Sequence, residues 1–65
     1  MTKEAAIRMM YRGRKITHRY FSPGEWMTMQ NGMIVLEDGV ICSPQEFWKQ
    51  RTDPVWDGGY KLFNN

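Results

Sequence analysis

The chain has 65 residues and a formal net charge of +2, with 42% hydrophobic and 25% charged residues, which is ordinary globular composition. A chain this short buries only about 60% of the surface its unfolded form exposes, so residues 1–65 hold a single small domain, and a doubly wound nucleotide fold, a kinase, a hydrolase barrel and any two-domain enzyme are excluded. The longest apolar run, Met33-Ile34-Val35-Leu36, cannot span a membrane, and the single Cys42 neither staples a fold nor builds a zinc site.

Thr2 is an N-cap candidate, Glu4 suits the first turn, and Ala6, Ile7, Met10 and Tyr11 recur at helical spacing, so a helix is predicted over residues 3–12 with Gly13 as its left-handed stop. Lys15 to Phe21 is β-like, and Ser22-Pro23-Gly24-Glu25 reads as a turn. Trp26–Gln30 and Met33–Glu37 flank Asn31-Gly32, the pattern of a type I′ hairpin, and Asp38-Gly39 repeats it before Val40-Ile41-Cys42. Two-residue loops at both turns set Met29 opposite Ile34, Met27 opposite Leu36, and Leu36 opposite Ile41. All five then share the core face, and Trp26, Thr28, Gln30, Met33, Val35, Glu37, Val40 and Cys42 share the other.

Ser43-Pro44-Gln45-Glu46 is a capping box with proline at the first helical position, predicting a helix over 44–51 that Pro54 ends. Asp57-Gly58-Gly59 is a further turn, Tyr60–Phe63 suits a final edge strand, and Asn64 and Asn65 are expected to fray. The predicted fold class is α+β: an N-terminal helix, an antiparallel meander of about four strands, and a second short helix. A chain of this size without disulfides commonly gains stability as a homo-oligomer. A reducing, cytoplasmic location is the default, since no charged start followed by an apolar stretch marks a signal peptide.

The charges are uneven. Residues 1–32 carry a net of +4 and residues 33–65 a net of −2, and the cations concentrate from Arg8 to Arg19, with His18 among them. Arginine suits bidentate phosphate contacts, and basic side chains beside Tyr20 and Trp26 can clamp a phosphate and stack a base. A solvated basic surface is the plainer account of the same residues. His18 has no nucleophile or metal partner, so it is either structural or a donor to a bound phosphate or base. Cys42 reads as a small hydrophobe, Glu37 and Asp38 as turn residues, and Asp53 and Asp57 as turn residues or acceptors for ribose hydroxyls. No Walker loop, dinucleotide fingerprint or metal-ligand spacing is present, and no enzymatic activity, cofactor or metal is expected. Three tryptophans and six methionines exceed what so small a core hides, so some are expected at a ligand or subunit interface.

Glu4-Ala5-Ala6-Ile7, Gly13-Arg14-Lys15-Ile16-Thr17-His18-Arg19, Trp26-Met27, Ile34 and Glu37-Asp38-Gly39, followed by Ser43-Pro44-Gln45-Glu46-Phe47, stand in an order that resembles the second Thoeris anti-defence family of phage proteins. The resemblance implies a homo-oligomeric sponge in the host cytoplasm that binds a cyclic ADP-ribose-type or cyclic dinucleotide signal between subunits without cleaving it. It places Arg14, His18, Arg19 and Trp26 at matching positions. With Tyr20 from the residue reading, these are the predicted ligand-binding residues. The chain departs from the family in its shorter length and in the reversed Ser43-Pro44 order with no preceding tryptophan. Rival readings are an inhibitor of a host enzyme acting by protein contact, with Met and Trp as hot spots, and a small nucleic-acid-binding accessory protein using Arg8–Arg19.

Overall fold

The computed structural model describes residues 1–64, and Asn65, with its expected fraying, lies outside the described residues. Helix α1 spans Lys3–Tyr11, and the Thr2 hydroxyl accepts the Ala5 N–H at its start. It ends as the sequence predicts. Gly13 sits at φ +83°, its N–H donates to Met10 O at 2.9 Å and the Arg14 N–H to Met9 O at 3.1 Å, which is a Schellman stop.

Strands β1 (Ile16–His18), β2 (Met27–Gln30), β3 (Met33–Leu36), β4 (Ile41–Cys42) and β5 (Tyr60–Leu62) form one antiparallel sheet in the order β4-β3-β2-β1-β5. The last strand thus returns to the edge beside the first, which makes five strands where about four were expected. Helix α2 spans Pro44–Lys49, capped by Ser43, whose hydroxyl accepts the Glu46 N–H. A short 3-10 turn, Pro54–Asp57, lies outside the predicted elements; the Asp53 carboxylate starts it by accepting the Val55 N–H.

The first hairpin has the predicted register, Met27 opposite Leu36 and Met29 opposite Ile34. Asn31 and Gly32 both hold positive φ, +52° and +77°, as a type I′ turn demands. The second hairpin corrects the prediction. The Gly39 N–H donates to Leu36 O and the Leu36 N–H to Val40 O, both at 2.9 Å, with Gly39 at φ +88°. This is a three-residue loop, a type I turn followed by a glycine bulge, and not a two-residue loop. The extra residue slips β4 by one, so Val35 faces Ile41 and Ile34 faces Cys42. Ile41 therefore leaves the core face and is 62% exposed, while Cys42 packs against the core.

Both helices cover the same sheet face. Ala6 and Met10 of α1 and Phe47 of α2 close over Ile16, Met27, Met29, Ile34 and Tyr60 in one buried cluster. By the strand alternation, the opposite face carries Lys15, Thr17, Trp26, Thr28, Met33, Val35, Ile41, Lys61 and Phe63. Among the described residues no helix lies over it. The accessible surface is 4378 Å², close to the roughly 4,300 Å² that a compact monomer of this mass exposes, so the single chain closes its own core. No helix among the described residues is long and apolar enough to cross a membrane.

Candidate functional site

The antiparallel pairing of β5 with β1 sets Thr17 opposite Lys61 and Ile16 opposite Leu62. Since Ile16 and Leu62 point to the core, Thr17 and Lys61 point to the open face. The chain then leaves β1 and turns at Ser22–Glu25, where the Glu25 N–H donates to Ser22 O and Gly24 takes φ +88°. A cleft of about 550 Å³ opens between this turn and the β1–β5 pair, lined by Thr17, Arg19, Phe21, Ser22, Lys61 and Phe63 among others.

A second hollow of about 330 Å³ lies beside it, lined by Gly13, Arg14, Lys15, Phe63 and Asn64. Phe63 and Asn64 line both clefts. Arg19 and Lys61 line the larger cleft and Arg14 and Lys15 the smaller, and none of the lining residues of either is acidic. Glu25 is adjacent in sequence, but its Oε1 accepts the Ser22 N–H at 2.6 Å, which ties that carboxylate to the turn.

The predicted site residues distribute unevenly. Arg19 and His18 line the larger cleft and Arg14 the smaller. Trp26 lines neither cleft; the Lys15 ammonium lies 4.4 Å above its ring and the Phe63 ring is 6.4 Å away. Tyr20 is 61% exposed and lies outside the lining; its ring is 5.4 Å from the Arg19 guanidinium carbon.

His18 is 2% exposed, and both ring nitrogens are engaged by backbone. Nδ1 accepts the Tyr20 N–H at 3.1 Å, so Nε2 carries the proton and donates it to Gly58 O at 2.7 Å and Val55 O at 3.1 Å. The ring stacks 4.4 Å from Trp56 and 4.5 Å from Tyr60. Of its two readings the structural one describes this geometry: His18 pins the Pro54–Asp57 turn to β1, and its hydrogen-bonding capacity is spent inside the fold.

Lys15, Lys61, Thr17 and Phe63 join the site without having been singled out. Only the return of β5 to β1 brings Lys61 and Phe63 within reach, and nothing local in Tyr60–Phe63 says which strand it will pair with. Trp48 and Trp56 belong to the helix side. Trp48 packs edge-on to Phe47 at 4.9 Å, and Trp56 lies between His18 and the Arg51 guanidinium. Among the described residues no three His, Cys, Asp or Glu side chains gather as a metal site. Comparison with family models, curated proteins and solved structures returns no match.

Proposed function

We propose that the protein is a non-enzymatic phage anti-defence protein that captures a phosphorylated, nucleotide-type immune signal, of the cyclic ADP-ribose or cyclic dinucleotide kind, and withholds it uncleaved. One observation carries this reading: two adjoining clefts share Phe63 and Asn64, are flanked by four basic side chains, and have no acid in their lining. Phosphate oxygens would meet Arg19 and Lys61 in the larger cleft and Arg14 and Lys15 in the smaller. The Phe63 ring between them offers a face for a base. Thr17, Lys61 and Phe63 of the larger cleft belong to the sheet face that no helix covers, and a second copy seated there would enclose the ligand.

The test is a thermal-shift panel of cyclic mononucleotides, cyclic dinucleotides and cyclic ADP-ribose isomers, with native mass spectrometry of the hits. Stabilisation by at least one compound, recovered intact after denaturation, and at least tenfold weaker capture by Lys61→Ala, are expected. No shift with any compound refutes the reading. A host protein that co-purifies instead, or a salt-sensitive shift of nucleic acid in a gel, replaces it with one of the rival functions.

A further inference from the structure

We propose that Gly59 is a positioning residue for anion capture: its missing side chain leaves the strip of bare backbone along which the Arg19 side chain lies. The inference rests on the cleft reading above. Gly59 holds φ +85°, and a Cβ there would stand 3.1 Å from Arg19 Nε, 3.2 Å from Arg19 Cδ and 3.2 Å from His18 Nε2. An L side chain is strained at this φ, and a neighbour would also have to give by a few tenths of an ångström; the surroundings decide which.

The backbones on either side are fixed, because the Arg19 N–H donates to Gly59 O at 3.1 Å. The His18 ring is fixed as well, by its bonds to Val55 O and Gly58 O, by the Tyr20 N–H, and by its stacking on Trp56 and Tyr60. Arg19 is the group left to move. In the native chain this exposed side chain has its Nε and Cδ in the space a Gly59 Cβ would project into, and its guanidinium carbon lies 5.4 Å from the Tyr20 ring.

An arginine held in place before a phosphate arrives loses less rotamer freedom on binding than one free in solvent. Gly59 thereby sets the posture of the cleft's arginine without touching the ligand. Releasing that side chain should weaken anion binding by up to about tenfold, the cost of immobilising one long side chain.

A chain of 65 residues is within reach of total chemical synthesis, so the two hydrogens of Gly59 can be replaced one at a time. Gly59→Ala places a methyl against Arg19. D-alanine at position 59 accepts the left-handed backbone without strain and directs its methyl the other way. Two readouts are taken: the heteronuclear NOE at Arg19 Nε, which reports whether the side chain is ordered, and affinity for inorganic pyrophosphate. A rigid Arg19 Nε is expected in the native and D-alanine chains and a mobile one in Gly59→Ala, with pyrophosphate binding weakened only in the last.

Gly59→Asn, which carries the same Cβ and tolerates positive φ, serves if Gly59→Ala does not fold. A mobile Arg19 Nε in the native chain overturns the proposal, as does an equally rigid one in the folded Gly59→Ala or Gly59→Asn chain. A rigid, Gly59-dependent Arg19 in a native chain that binds no pyrophosphate upholds the positioning and counts instead against the anion-binding reading of the clefts.

Discussion

Tyr60 makes the stability of this fold depend on alkaline pH in a way that can be worked out from its surroundings. Its ring is 2% exposed and packs edge-on to His18 at 4.5 Å and to Trp48 at 6.2 Å. Its hydroxyl donates to Trp56 O at 2.6 Å. Burial pushes its pKa up to about 12; nearby Arg51 pulls the other way, and Asp57 and Glu4 add to the rise. The folded state therefore favours the neutral phenol, whereas the unfolded chain releases the proton near pH 10.

The stabilisation is fully present below about pH 10 and is lost as pH rises from 10 to 12. The full shift corresponds to about 3 kcal/mol. In so thin a domain water lies close to even a buried hydroxyl, and screening trims this to about 1–2 kcal/mol. Urea denaturation of the native chain and of Tyr60→Phe, each at about pH 9 and about pH 12, isolates the effect, since other titrating groups are common to both chains. At the lower pH Tyr60→Phe should be the less stable chain by about 1 kcal/mol, because Trp56 O loses its donor. At the higher pH the difference should vanish or reverse. Equal alkaline losses in the two chains would refute the assignment.

Two further substitutions test the sheet. Ile34→Ala should cost about 3 kcal/mol in denaturant titration, as Ile34 is fully buried, while Ile41→Ala should stay within about 0.5 kcal/mol because the bulge turns Ile41 outward; comparable losses would restore the two-residue loop. Thr28→Val should cost about 1–2 kcal/mol, since the Thr28 hydroxyl donates to Arg14 O at 2.8 Å and so holds the α1–β1 connection against β2; no loss would mean that this carbonyl finds water instead.

Much of the local structure was legible because it is decided by short-range chemistry. Thr2 and Ser43 have hydroxyls that accept helix N–H groups three residues on, Gly13 and Gly32 take backbone that other residues avoid, and Asn31-Gly32 fits the twist of a two-residue hairpin. Asp38-Gly39 misled because the same dipeptide also serves a three-residue loop, in which the aspartate caps the turn by accepting the Val40 N–H and glycine alone takes the positive φ. A single residue of loop length then exchanges the faces of Ile41 and Cys42.

The site was half legible. Arg14 and Arg19 flank the clefts as their place in a basic strand suggested, whereas the carbonyls that His18 Nε2 meets come from a turn some forty residues away and leave no mark on the histidine's own neighbourhood. From its order of residues alone, the chain determined its helices, its first hairpin and its excess of cations in the N-terminal half, since each follows from neighbours a few positions apart. Tertiary structure alone decided that β5 would close beside β1, and with it that Lys61 would stand across from Thr17 and Phe63 across from Lys15, because pairing between distant strands depends on which faces are left to bury once the local elements have formed.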